Sequence, residues 1–398
     1  MNKTRDQFPI FTNKQNLVYL DSASSTQKPE FVIQKTNEYI THSYSNLWRG
    51  SYKLTEESDY FYYECKEKIA TLIGCKSNEI FFSHNATYCI NTFANAIAES
   101  GHLSEWKKII LSIIEHHANI LIRQKLASEY NCDIIRLWLN QDLDLDLEEL
   151  QSMDHTTTAV ISLSLCSNVL WIKNNLSKIR NIVGDSCIFC IDASQAIPNY
   201  QINVTELWCD FTFFSAHKFL AYTWLGIGFI KKWLQKKLKA QILGGGIIEE
   251  VSHSNYLLKT SVEQFEAWTP NIISIVSLNY AIDRWNHYWW YIEREKQEKT
   301  LMDHIDKEFI KRESDYKVLN IHKKSIWIRI FTSTKFDNQK INNELSKNNI
   351  CIRAGWHCTH PLHNYLWMPN GSIRLSLYVY NTIQDIDLFF KTLDSIHH

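Results

Sequence analysis

Phe213-Phe214-Ser215-Ala216-His217-Lys218 places a lysine directly after a hydrophobic strand pattern, with a hydroxyl and an imidazole beside it. A lysine at the C-terminal end of a strand is positioned to form a Schiff base with an aldehyde cofactor such as pyridoxal phosphate. Ser215 and His217 could then hold the phosphate. Asp192 ends the preceding strand pattern 26 residues earlier. Both side chains therefore belong at one sheet edge, where ligands of α/β sheets collect. A carboxylate there can keep a pyridine nitrogen protonated and make the ring an electron sink. Taken singly, a strand-end lysine or aspartate is more commonly a solvated charge, so the weight lies on the pair.

The elements that must carry this pair follow from hydrophobic periodicity. Leu54 to Gly74 reads as a long amphipathic helix, with Thr55 as its N-cap and Gly74 as its stop. Strands are expected at Glu79–Ser83, Lys108–Ile113, Asp133–Leu137, Ala159–Leu165, Cys187–Asp192, Phe211–Ser215 and Gly226–Ile230, with helices such as Ala118–Ser128 and Leu176–Val183 between several of them. The alternation predicts an α/β fold with a mostly parallel seven-stranded sheet. Ile273 to Lys299 reads as one long helix with a Trp- and Tyr-rich stripe, a bridge to a small α+β domain built from Trp327–Phe331, Lys340–Asn348, Ile373–Tyr378 and Ile383–Ile396. The expected division is a large domain over 19–285, with 1–18 and 286–398 forming the small one.

At 398 residues the chain has ample material for a large core, and a disulfide scaffold or peptide module is excluded. Forty-two Lys and Arg against 43 Asp and Glu leave a net charge of −1 without long blocks of one sign, so neither nucleic acid nor a membrane surface is expected as partner. No apolar run approaches the roughly 20 residues that span a bilayer, and a cytoplasmic location is expected. Ten scattered cysteines fit reduced thiols. Cys187 and Cys190 have CxxC spacing, but on a strand they point to opposite faces and read as buried thiols, not as a metal or redox pair. No metal site is expected.

Eight strings, in order and spacing, extend the pattern over nearly the whole chain: Leu20-Asp21-Ser22-Ala23-Ser24-Ser25, Glu115-His116-His117-Ala118-Asn119-Ile120, Ser167-Asn168-Val169-Leu170, Asp192-Ala193-Ser194-Gln195-Ala196, Ser215-Ala216-His217-Lys218, Phe265-Glu266-Ala267-Trp268-Thr269-Pro270-Asn271, Arg353-Ala354-Gly355-Trp356-His357-Cys358 and Tyr380-Asn381-Thr382. Together they resemble the SUF-type (group II) cysteine desulfurases, class V aminotransferase relatives among the fold-type I pyridoxal-phosphate enzymes. The short string at Cys358, followed by Pro361-Leu362, is similar to group II and not to the longer-looped group I.

The resemblance implies a role for each matched residue. Lys218 would anchor pyridoxal 5'-phosphate and move the Cα proton; Asp192 would pair with the pyridine nitrogen and Gln195 with the ring hydroxyl. His116 would stack on the ring. Thr87, at the start of an expected helix where N–H groups favour an anion, would join Ser215 and His217 on the phosphate. Thr269 resembles a threonine lent by the neighbouring subunit, which implies a homodimer. Arg374, aided by Asn168, would clamp the carboxylate of L-cysteine with a bidentate fork. Cys358 would be the nucleophile that takes sulfur as a persulfide for a sulfur-acceptor protein, with His357 as a sensible companion for its thiolate. The expected product is L-alanine, and the sulfur would go to iron–sulfur assembly or to dedicated thiolation of a small molecule. A C–S lyase or selenocysteine lyase on the same scaffold is the alternative, as is a degenerate binding partner. Retention of Lys218, Asp192, Gln195, His116, Cys358 and Arg374 together argues against a dead site.

Departures from the pattern concentrate on one residue type. Tryptophan stands at Trp48 and Trp356, where the pattern has histidine, and at Trp171, Trp224 and Trp268, where it has glycine. The chain has 14 tryptophans and only 11 glycines, the latter under half the usual share of about 7%. The many Ile, Lys and Asn residues suggest drift in an AT-rich genome, which accounts for scarce glycine but should erode tryptophan. If the five ring the mouth of the site, they form an apolar, stackable rim suited to an aromatic acceptor or a specific partner protein.

Overall fold

The structure, a computed structural model, describes residues 4–48, 50–170, 172–288, 291–319 and 327–396. By its internal contacts the chain divides into two units, one of Val32–Leu165 and Asn174–Asp283, the other of Met1–Phe31, Cys166–Lys173 and Arg284–His398. This differs from the sequence expectation in assigning 19–31, 166–173 and 284–285 to the second unit.

The first unit is built on seven strands: β1 (Ile80–Ser83), β2 (Lys108–Ser112), β3 (Asp133–Leu137), β4 (Thr158–Ser164), β5 (Ile188–Asp192), β6 (Phe211–Ser215) and β7 (Gly226–Ile230). Their order in the sheet is β1-β7-β6-β5-β4-β2-β3. Pairs from β6 through to β3 are parallel, while β7 runs antiparallel to both its neighbours. All residues of β4, β5, β6 and β7 are buried. Strands covered on both faces require such unbroken apolar runs, which is why the sequence marks them clearly.

Helix α1 (Lys53–Ile73) ends on Gly74 at φ 72°, a left-handed cap that costs a glycine nothing. Its start corrects the expected cap. Tyr52 is the N-cap, its carbonyl accepting the N–H groups of Thr55 and Glu56, and Thr55 lies within the first turn with its hydroxyl on Ser45 Oγ at 3.2 Å. Helix α2 (Ala86–Glu99) is capped by Asn85, whose side chain accepts Tyr88 N–H at 2.8 Å, and α3 (His117–Tyr130) is capped by His116. Helix α4 (Leu176–Val183) lies where expected. Phe93 of α2 stacks on Phe211 of β6 with centroids 3.6 Å apart, locking the helix to the strand that leads to Lys218.

The expected helix from Ile273 to Lys299 is described as α5 (Ile272–Tyr288) and α6 (Tyr291–Ile310), and residues 289 and 290 of that expectation lie outside the described residues. The second unit contains an antiparallel sheet of β8 (Tyr316–Val318), β9 (Ile328–Ser333), β10 (Arg353–Gly355) and β11 (Ser372–Ser376), ordered β8-β9-β11-β10, with α7 (Asn338–Lys347), α8 (His360–Tyr365) and α9 (Ile383–Ser395). Cys187 and Cys190 are both buried, and each sulfur meets a different guanidinium, Arg180 and Arg123. No helix among the described residues is long and apolar enough to cross a membrane.

Candidate active site

In the first unit, parallel pairing of β5 with β6 sets Asp192 opposite Phe213, so the C-terminal ends of both strands emerge together. Asp192 is buried and accepts Ser194 N–H at 2.8 Å. Burial pushes its carboxyl above the usual range, and the hydrogen bonds from Ser194 and the charge of Lys218 act in the opposite direction. Beyond Ser215 the chain makes a single 3-10 turn, Ala216–Lys218, that carries His217 and Lys218.

Ser215 Oγ accepts Ala86 N–H at 2.9 Å, which joins β6 to the N-terminus of the 14-residue helix α2. Thr87, the next residue, is exposed. Gly226 pairs with Ser83 and Ser215, and a Cβ built on it would sit 2.4 Å from the Asn85 carbonyl carbon. This close approach brings backbone donors, a buried hydroxyl and a helix N-terminus together, the donor set a phosphate monoester takes. A buried carboxylate and a lysine at the neighbouring strand ends complete the fit to pyridoxal phosphate.

His116 Nδ1 accepts Ala118 N–H at 3.1 Å, which fixes the ring direction. The residue before it was not singled out from the sequence as a site residue. Glu115 is fully buried and accepts from Ser164 N–H (2.9 Å), Ser164 Oγ (2.7 Å), Asn119 Nδ2 (2.9 Å) and Ser112 Oγ. Burial outweighs these donors and pushes its carboxyl up to about 6. Glu115 thus ties the His116 turn to β2 and β4. Gln195 is buried in the turn after Asp192, and Thr269 is exposed. His84 stacks on Trp268 at 5.0 Å and meets the Trp224 ring edge-on at 6.2 Å. Trp48 is elsewhere in this unit, edge-on to Tyr62, and Trp171 and Arg49 lie outside the described residues.

In the second unit Cys358 follows β10 with left-handed backbone at both His357 (φ 48°) and Cys358 (φ 61°). Arg353 donates to its sulfur at 3.6 Å and to Ser24 Oγ at 3.2 Å. The expected companion, His357, does not face the thiol. Its Nε2 lies 3.1 Å from both Ser372 O and Ser372 Oγ, and burial, with Arg374, His363 and Arg353 nearby, holds it well below the usual histidine range. A neutral, inward-turned imidazole leaves the sulfur to the guanidinium. Arg374 is buried and donates to Asn168 O (3.0 Å), Asp21 Oδ1 (3.0 Å) and Ser24 Oγ (2.8 Å), while Asn168 Nδ2 donates to His357 O at 2.7 Å. Asn168 therefore links the arginine fork to the backbone beside Cys358, and Arg353, Asp21 and Ser24 join the residues named from sequence.

Residues 18–389 match the model of the aminotransferase class-V family. The chain belongs to the class-V aminotransferases. A probable cysteine desulfurase from Borreliella burgdorferi is 30% identical, with 98% of this chain and 95% of the relative aligned. A cysteine desulfurase from Cronobacter sakazakii is 29% identical over 100% of this chain and 98% of its own. Among solved structures, the apo cysteine desulfurase from Thermococcus onnurineus NA1 superposes with a TM-score of 0.92 at 26% identity, covering 98% of this chain and 96% of that one. This class-V chain thus has a fold similar to that of the Thermococcus enzyme over 98% of its length.

Proposed function

We propose that the chain is a pyridoxal-phosphate-dependent cysteine desulfurase that converts L-cysteine to L-alanine and holds the released sulfur as a persulfide on Cys358. The observation that carries this reading is the Arg353 guanidinium on the Cys358 sulfur at 3.6 Å, beside the buried fork of Arg374. A thiol held by a fixed cation suits nucleophilic attack better than an inert core thiol does.

The residues that would hold the cofactor are Lys218 at the aldehyde, Asp192 at the ring nitrogen, Gln195 at the ring hydroxyl, His116 against the ring face, and Ser215, His217 and Thr87 at the phosphate. Thr269 from a second copy of the chain would add to the phosphate set, making the enzyme a homodimer. When bound, pyridoxal phosphate supplies an electron sink for charge at the substrate Cα. Arg374 orients the substrate through its carboxylate, with Asn168 fixing the adjoining backbone. Lys218 Nζ takes the proton from Cα and returns one later. Cys358 Sγ, as thiolate, attacks the substrate sulfur, the Cβ–S bond breaks, and the protonated carbon skeleton leaves as alanine. The persulfide then passes to a sulfur-acceptor protein.

Incubation with L-cysteine followed by intact mass tests the reading. One added sulfur on the protein and alanine in solution are expected. Free sulfide with pyruvate and ammonia and no modified cysteine, also from a Cys358→Ser variant at the parent rate, makes the protein a C–S lyase instead.

A further inference from the structure

Among the described residues six tryptophans have left-handed backbone: Trp48 (φ 62°), Trp106 (φ 70°), Trp208 (φ 52°), Trp224 (φ 61°), Trp327 (φ 63°) and Trp367 (φ 57°). Only a few per cent of non-glycine residues adopt such angles, and bulky side chains are outliers among them. Bulk and aromaticity do not account for the six. Among the described residues no tyrosine or phenylalanine is left-handed.

Local hydrogen bonding shows what these positions are. At Gly101 (φ 79°) the chain makes a Schellman cap, with Gly101 N–H on Ala98 O (3.0 Å) and His102 N–H on Ile97 O (3.2 Å). The same pair of bonds closes at Trp208, from Trp208 N–H to Thr205 O (3.1 Å) and Cys209 N–H to Val204 O (3.1 Å). It closes again at Trp367, from Trp367 N–H to Asn364 O (3.1 Å) and Met368 N–H to His363 O (2.8 Å). Both tryptophans occupy the C′ position that glycine fills in this motif. Trp106 is the third residue of a turn closed by Lys107 N–H on Ser104 O at 3.1 Å, where a positive φ again calls for glycine.

The indoles themselves bring little in return. Trp106, Trp208, Trp224 and Trp367 are 75%, 57%, 66% and 92% exposed. The indole N–H of Trp327 is buried without an acceptor.

We infer that positions 48, 106, 208, 224, 327 and 367 are glycine positions, and that the protein made in its own cell carries glycine there. The scarcity of glycine and the excess of tryptophan are then one fact, a codon decoded as glycine in that cell. UGA is the candidate, one base from the tryptophan codon UGG and one base from the glycine codon GGA. The consequence reaches the site. Ala216 N–H bonds to Leu225 O at 3.0 Å, so the residue at 224 sets how the turn bearing Lys218 closes, and the Trp224 indole beside His84 is absent from the working enzyme.

Three measurements bear on this. The gene should carry one codon, UGA, at all six positions and UGG at Trp233 and Trp285; UGG at the six overturns the inference. Peptide mass mapping of protein isolated from the encoding cells should find each of the six positions lighter by an indolylmethyl group less a hydrogen, and a peptide retaining tryptophan at any of them overturns it. In recombinant protein, combining Trp106→Gly, Trp208→Gly, Trp224→Gly and Trp367→Gly should raise Tm by about 3–5 °C, because relief of left-handed strain exceeds the entropy cost of glycine. Trp233→Gly and Trp285→Gly, in helical backbone, should lower it. A fall in Tm for the fourfold variant overturns the inference.

Discussion

Arg353 and Cys358 are joined across the turn that follows β10, guanidinium to sulfur at 3.6 Å, while His357 between them faces inward to Ser372. The same guanidinium holds Ser24 Oγ, which also receives Arg374 at 2.8 Å, so one hydroxyl ties the thiol's cation to the carboxylate fork. A point charge cannot hold both partners, because only the planar fork of arginine presents donors in two fixed directions.

Arg353→Ala should therefore slow alkylation of Cys358 by iodoacetamide at neutral pH roughly 5–20-fold, and persulfide formation with it. Arg353→Lys should recover only part. His357→Gln should leave the alkylation rate near that of the parent. A His357 variant slowed as much as Arg353→Ala would return the companion role to the imidazole.

The strand ends were legible because buried parallel strands are written as continuous apolar runs, and Phe211–Ser215 and Gly226–Ile230 match residue for residue. Lys218 and Asp192 follow from those ends. Arg353 was not legible as the thiol's partner. Which of two near neighbours faces Cys358 depends on left-handed backbone at 357 and 358, and spacing does not encode that. Glu115 was visible only as part of a string. Two of its four donors come from Ser164, 49 residues away on β4, so its binding role arises from strand pairing. The tryptophans were legible as an anomaly of composition, but only their φ angles separate those in helices from those in glycine caps.

Glu115 gives a pH signature. Its folded carboxyl is raised to about 6 from an ordinary 4.5, so the folded state binds this proton more tightly than the unfolded chain does. Its stabilising contribution is fully present below the unfolded value and is lost as pH rises through the folded one, an effect of about 2 kcal/mol. Glu115→Gln lacks that titration and mismatches its amide with the donors of Ser164 and Asn119. Urea unfolding should show the variant less stable throughout, with the gap to the parent about 2 kcal/mol wider at low pH than at neutral pH. A gap that does not change with pH would mean that Glu115 titrates as an ordinary carboxyl.

Lys218→Ala should leave no pyridoxyl adduct after borohydride reduction, since the covalent link needs that amine. Asp192→Ala should still take up cofactor, weakly, and should lose exchange of the substrate Cα proton, because a neutral pyridine is a poor electron sink. Retained exchange, read by NMR in deuterated water, would remove Asp192 from the ring nitrogen.

Arg374 separates substrate binding from cofactor binding. Its guanidinium bonds Asn168 O, Asp21 Oδ1 and Ser24 Oγ within the second unit, whereas Lys218, Asp192 and Ser215 all belong to the first. Arg374→Lys keeps the charge beside Asp21 but loses the bidentate geometry that a carboxylate matches. The variant should hold pyridoxal phosphate with the parent's absorbance spectrum while KM for L-cysteine rises on the order of 100-fold, about 2.7 kcal/mol of lost charge-assisted hydrogen bonding. Cysteamine, which lacks the carboxylate, should react equally poorly with parent and variant. If the variant discriminates cysteine from cysteamine as well as the parent does, the carboxylate is held by another residue and Arg374 serves only to anchor Asp21 and Ser24.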